Sequence, residues 1–229
     1  MPADAPPRRI WVTRAQPQAE ATAARLRALG LEPIVAPVLE IRPIVDAAVD
    51  LAGVDALAFT SAAGVSAFAA LSARRDLIVF AVGDATAETA RGAGFVDVRS
   101  AGGDVHALAA LIAAAAPALV LNPTAAEPAA DLPALLAAQG VAARSALVYE
   151  TRETVLEAAP ASLAGVLVHS AKAARAVARL LAGSRVSGIT IYAISLTASA
   201  PLAGLELHRI VIAPSPNEAA LLGLLGSAA

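Results

Sequence analysis

Residues 55 to 71 read DALAFTSAAGVSAFAAL: an apolar run, a serine, and then an alanine-rich stretch. Residues 164 to 180, AGVLVHSAKAARAVARL, repeat that design, with Ser170 where the first copy has Ser61. An unbroken apolar run, rather than an apolar/polar alternation, is the mark of a parallel strand covered on both faces. A serine at its end is placed to cap the next helix or to donate to a ligand at the carboxyl edge of the sheet. Each copy is followed by a second strand and turn, VFAVGDAT (79–86) in one half and IYAISLTA (191–198) in the other.

The same beat runs along the chain. RIWVT (9–13) precedes PQAEATAARLRALG (17–30), where Ala19, Ala23, Leu26 and Leu29 recur at helical spacing and Gly30 supplies a stop. LIVFAVG (77–83) precedes DATAETARGAG (84–94), and ALVLN (118–122) precedes EPAADLPALLAAQG (127–140). The pattern predicts an α/β protein of two similar, doubly wound parallel-sheet domains. Two stretches break it, IVAPVLEIRPI (34–44) and ARSALVYETRE (143–153), and both read as extended chain. Taken as strands crossing between domains, they predict an inserted domain at 44–146 and a discontinuous one at 1–36 and 154–229. Residues 37–43 and 147–153 would be the linkers.

Composition narrows the function. The 229 residues are 58% hydrophobic, 16% charged and 3% aromatic, as expected of a compact chain with an alanine-rich interior. The longest apolar stretch, LAALIAAAAPALVL (108–121), contains Pro117 and is shorter than the roughly 18 residues of a membrane span. It reads as a helix followed by a buried strand. Nothing in MPADAPPRRIWV resembles an export signal, so a cytoplasmic location is expected. The absence of cysteine excludes disulfides, thiolate metal sites and a cysteine nucleophile. His106, His169 and His208 lie too far apart in sequence for a recognisable metal motif. A net charge of -2 provides no basic field for nucleic acid or an anionic membrane. Any anionic ligand must be held by local donors.

The stretch AVGDATAETARGAGF (81–95) has neither a Walker lysine nor a GxGxxG fingerprint. Gly83 at the strand end and Thr86 in the first helical turn instead suit an anion, a carboxylate as well as a phosphate. The alternative is that Asp84 or Thr86 only caps the helix. Arg14 ends the first strand and either pairs with a carboxylate or stays solvated. Tyr149 either packs or turns its hydroxyl to a cleft, and His169 reads as a strand-end residue with a satisfied imidazole. No acid-base dyad or triad can be assembled.

In order and spacing, VTRAQPQAEATAARLRALGLEPIVAPVLEI (12–41), FTSAAGV (59–65), AVGDATAETARGAGF, GVAARSALVYETR (140–152), VLVHSAKAA (166–174) and VIAPSPNEAALLGLL (211–225) resemble uroporphyrinogen-III synthases. The resemblance implies two α/β domains joined by a two-stranded β-ladder, with the substrate in the cleft between them. It implies a cytoplasmic monomer acting on a small-molecule linear tetrapyrrole, with no metal or organic cofactor, no nucleic acid and no membrane. The preceding pathway enzyme is its candidate protein partner. The implied reaction converts hydroxymethylbilane, which has eight carboxylates, into uroporphyrinogen III with loss of water and inversion of ring D. An azafulvene and a spirocyclic pyrrolenine are its intermediates.

Carried over by motif position, Tyr149 becomes the donor that assists departure of the hydroxyl. Ser61, Gly83 and Thr86 become substrate contacts from one domain, and Ser170 and Arg14 from the other. The second-half turn AISLTASAPLAG (193–204) departs from the pattern, with Ser195 in place of a common glycine and Ala198 in place of Thr86's equivalent. Thr197, one residue early, is the expected substitute. The turn PTAAEPAADL (123–132) lacks the Gly-Arg often found there. A non-catalytic two-domain small-anion-binding protein and a degenerate synthase homologue are the alternatives.

Overall fold

The fold is described from a computed structural model, over residues 8–182, 188–205 and 209–226. His208 lies outside the described residues. In chain order the elements are β1 (Arg9–Val12), α1 (Gln18–Ala28), β2 (Glu32–Val35), β3 (Leu39–Pro43), β4 (Ala56–Phe59), α2 (Ala62–Leu71), β5 (Ile78–Ala81), α3 (Asp84–Gly92) and β6 (Val98–Ser100). They continue with α4 (Val105–Ala115), β7 (Val120–Ala125), α5 (Leu132–Ala137), β8 (Ala143–Glu153), β9 (Gly165–Val168) and α6 (Ala171–Leu181). The last are β10 (Thr190–Ala193), α7 (Leu196–Ser199), a 3-10 turn (Ala200–Leu202), β11 (Arg209–Ile212) and α8 (Glu218–Gly226).

The chain forms two compact units, Met1–Glu40 with Arg152–Ala229, and Ile41–Thr151. The first has a five-stranded parallel sheet in the order β11-β10-β9-β1-β2. The second has a six-stranded sheet in the order β3-β8-β7-β4-β5-β6, parallel from β8 to β6. At the edge, the Ile44 N-H donates to the Val148 carbonyl and the Thr154 N-H to the Val38 carbonyl, so β3 runs antiparallel to β8. Both strands contain the points where the chain passes from one unit to the other.

If β4 and β9 are each counted as a first strand, both units share the order 3-2-1-4-5. β5 then answers to β10, β6 to β11, β7 to β1 and β8 to β2. The repeat first seen in residues 55–71 and 164–180 is thus a repeat of topology. Ser61 and Ser170 hold the same backbone shape (φ -158, ψ 152 and φ -160, ψ 158), and each accepts the N-H three residues on at 3.1 Å. In such sheets ligands bind beyond the carboxyl ends of the strands, where the winding direction reverses. That place lies between β4 and β7 in one unit and between β9 and β1 in the other.

The strands are continuous apolar runs because helices cover both sheet faces. In Ile41–Thr151, Leu57, Phe59, Val79 and Leu121 meet α2 and α3, while Ala56, Ala58, Phe80 and Val120 meet α4 and α5. Three of the four phenylalanines, Phe59, Phe68 and Phe95, stand 5.9–6.2 Å apart in the first of these layers. In the other unit Trp11 is fully buried, and its indole N-H donates to the Ala36 carbonyl at 2.7 Å.

Three local expectations change. The extended stretch at 34–44 is two strands, since β2 completes the first unit's sheet at Val35 and β3 starts only at Leu39. The helix expected from 127 starts at Leu132, because Asp131 caps it by accepting the Ala134 N-H at 3.0 Å. Leu29 follows the last turn of α1 and is half exposed, with Gly30 beyond it at φ +73.

Candidate functional site

Ser61 sits where β4 ends and α2 begins. Its hydroxyl oxygen accepts the Gly64 N-H and lies 2.9 Å from the Tyr149 hydroxyl. Gly64 is required there, because a β-carbon would stand 2.8 Å from the Pro123 carbonyl oxygen of β7. The helix start can approach β7 this closely only without a side chain.

Tyr149 reaches Ser61 because β8 is irregular. Thr124 pairs with Leu147 but Ala125 pairs with Tyr149, so β8 has one residue more than β7 at this point. Before the bulge the strand alternates: Ala146 and Val148 pack against the α2 layer, Ala143 packs on the opposite face, and Leu147 is half exposed. A regular strand would turn Tyr149 to the face of Ala143 and Leu147. The bulge returns it to the α2 face, where it is 8% exposed.

These side chains line a pocket of about 460 Å³ at the carboxyl edge of the sheet, together with Thr60, Val82, Thr124, Glu127 and Thr151. It lies at the reversal point of this unit. Asn122 fixes the two strands beside it, donating from Nδ2 to the Ala58 carbonyl at 2.8 Å. Glu127 is the one ionisable carboxylate in the lining.

Gly83 and Thr86 start the neighbouring helix α3. Gly83, not Asp84 or Thr86, is the capping residue, so the expectation of a side-chain cap is corrected: β5 leads straight into an extended Gly83 that has no side chain to give. Thr86 is buried in the first turn, and its N-H donates to the Gly83 carbonyl at 3.1 Å. Neither residue lines the Ser61–Tyr149 pocket.

The equivalent place in the other unit holds a carboxylate of the chain itself. Glu218, at the start of α8, accepts from Arg14 at 2.6 Å and from the Thr22 hydroxyl at 2.5 Å, and its Oε2 lies 2.9 Å from His169 Nε2. Burial alone would raise its pKa. The hydrogen bonds of His169 and Thr22, with the charges of His169 and Arg14, outweigh that and hold it down to about 2. Burial pulls the Arg14 guanidinium below its ordinary value, against the effect of Glu218. His169 Nδ1 is buried and has no partner among the described residues.

Ser170 caps α6 beside this cluster. Thr197 is exposed on the four-residue α7, Ala198 is buried, and Ser195 caps that helix by accepting the Ala198 N-H at 3.2 Å. The structure therefore brings Ser61 and Tyr149 together, keeps Gly83 and Thr86 on the adjacent turn, and commits Arg14 to Glu218. Sequence reasoning missed Glu218, Gly64 and the bulge. Only Asn217-Glu218 before an apolar helical run offered a signal, as a helix start.

Among the described residues no group of acidic or histidine side chains is placed to hold a metal, and no helix is long and apolar enough to cross a membrane. A family profile described as uroporphyrinogen-III synthase HemD matches residues 20–223. The chain belongs to the uroporphyrinogen-III synthase family. The family works in tetrapyrrole (heme) biosynthesis as cyclising enzymes on a small-molecule tetrapyrrole. Among solved structures, the uroporphyrinogen-III synthetase of Helicobacter pylori 26695 is similar at TM-score 0.65 and 20% identity, over 96% of this chain and 98% of that one. A mutant uroporphyrinogen III synthase of the extremely thermophilic bacterium Thermus thermophilus is similar at TM-score 0.50 and 16% identity, over 96% of each. At these identities the likeness speaks for the fold. No curated protein shows a significant match to the chain.

Proposed function

We propose that the chain converts hydroxymethylbilane to uroporphyrinogen III, with loss of water and inversion of ring D. The observation that carries this reading is the family match over residues 20–223. The linear substrate closes unaided to the unrearranged isomer, so the protein's main task is to hold the bilane where the substituted carbon of ring D attacks. A site with few ionisable groups suits that task.

Tyr149 is the proposed donor. As the C-O bond of the substrate breaks, its electron pair stays on oxygen and the Tyr149 proton completes a water molecule. The pyrrole N-H then returns a proton to the tyrosinate and leaves a neutral azafulvene. Attack through a spirocyclic pyrrolenine, fragmentation and reclosure follow. What supports the assignment is a buried phenol at the wall of a pocket with hydroxyl neighbours. Ser61, Gly83, Thr86 and Ser170 are proposed contacts for acetate and propionate groups, with polar helix starts in place of a basic surface. Arg14 has a weaker claim, since Glu218 already occupies it.

The short α7, capped by its own Ser195, favours one second reading, a homologue that binds but turns over slowly. One assay separates them: freshly prepared hydroxymethylbilane is supplied, the products are oxidised, and type III is measured against type I porphyrin. Type III well above the enzyme-free control is the expected result. A ratio equal to the control rejects the synthase reading.

A further inference from the structure

The Ser61 hydroxyl has one proton and two lone pairs. One lone pair is used by the Gly64 N-H at 3.1 Å. The only other hydrogen-bond partner of this hydroxyl among the described residues is the Tyr149 oxygen at 2.9 Å. The two hydroxyls can share that bond in either direction, but the outcomes differ. If Tyr149 donates, the Ser61 proton has no acceptor among the described residues and must turn toward the pocket, which Ser61 lines as well. If Ser61 donates, it is fully satisfied, and the Tyr149 proton is released toward the pocket that Tyr149 lines. Accepting an amide proton at a helix start also polarises the Ser61 O-H and makes it the better donor. Of the two hydroxyls only Ser61 accepts a backbone N-H among the described residues, so the second arrangement is favoured.

We infer that Ser61 is a positioning residue, which donates to the Tyr149 oxygen and thereby turns the phenol proton into the pocket. Gly64 and the β8 bulge are the backbone devices that make this possible: one lets the helix start approach β7, and the other brings Tyr149 to the α2 face. With its one proton given to Tyr149, Ser61 acts through Tyr149, and this role replaces the carboxylate contact proposed for its hydroxyl. When Tyr149 gives up its proton, the same bond stabilises the tyrosinate. This rests on the proposed reaction only for its kinetic consequence, because the direction of the bond is a property of the protein alone.

The test therefore has two arms. In the first, the tyrosine Raman doublet reports whether a phenol accepts or donates a hydrogen bond. The protein has two tyrosines, so subtracting the Tyr149→Phe spectrum isolates Tyr149. The expected signature is an acceptor that loses its donor in Ser61→Ala and keeps it in Ser61→Thr. A signature of a phenol that donates and accepts nothing in the parent protein overturns the inference.

In the second arm, hydroxymethylbilane turnover is measured on proteins whose thermal midpoints show them folded. Ser61→Ala is expected to lower kcat at least ~10-fold with KM changed by less than ~2-fold, and to cost nothing further in a Tyr149→Phe background. Ser61→Thr, which caps and donates alike, is expected to restore most of kcat. A raised KM at unchanged kcat, losses that add in the double variant, or full activity in Ser61→Ala overturns it. Should the parent yield no type III product while the acceptor signature stands, the reaction fails and the proton orientation survives.

Discussion

At Tyr149 a single hydroxyl decides how the pocket can act. Tyr149→Phe keeps the ring among its apolar neighbours and removes only the O-H, so folding should hold while the rearranging turnover falls about 100-fold or more. The type III to type I ratio, with a thermal melt as control, checks both halves of that statement. Gly64→Ala is the converse case, since it adds a methyl group and removes no hydroxyl. Its β-carbon would meet a backbone carbonyl at 2.8 Å, which cannot swing away as a flexible side chain does. Destabilisation of ~1–3 kcal/mol is expected from such overpacking, together with lost activity as Ser61 shifts from Tyr149. Equilibrium denaturation beside the turnover assay reads the two effects.

At the scale of elements, Glu218 ties α8 to β1, α1 and β9 through Arg14, Thr22 and His169. Its pKa is about 2 in the folded chain and 4.5 as an ordinary glutamate. A carboxylate with a depressed folded pKa adds stability that is complete above its unfolded value and is lost as pH falls through the folded one. This contribution should therefore fade between about pH 4.5 and 2. Glu218→Ala strands Arg14 and His169 and should cost toward the lower end of ~3–5 kcal/mol, because Arg14 retains some contact with water. The variant's stability should also vary less over that acid range than the parent's, as a set of denaturation curves at successive pH values would show. In the other unit the same strand ends enclose an open pocket. A common topology has thus been given one filled and one open crevice.

At the scale of the whole chain, two units with separate cores can lose structure separately. Trp11 is the only tryptophan and is buried in the unit that contains Glu218. Acidification is expected to change Trp11 fluorescence before the full far-ultraviolet signal is lost, since the carboxylates held below their ordinary value in residues 41–151, Asp76 and Asp104, are exposed and bind only nearby groups. Coincident transitions by the two probes would contradict this.

Much of this architecture is legible in the chain itself. Continuous apolar strands, helical spacing, the paired Ser61 and Ser170 turns and the glycine stops are local signals, because backbone propensity and capping act within a few residues. They determine the α/β class, the repeat and the family resemblance, and they bring Ser61, Gly83, Thr86 and Tyr149 forward as candidates. What they leave undecided is which candidates meet. The bulge that turns Tyr149 toward Ser61 depends on register with a partner strand, and the pairing of Arg14 with Glu218 joins residues 204 positions apart. Register and long-range charge pairing are settled only when strands and helices pack, because their energies come from neighbours that sequence spacing does not specify.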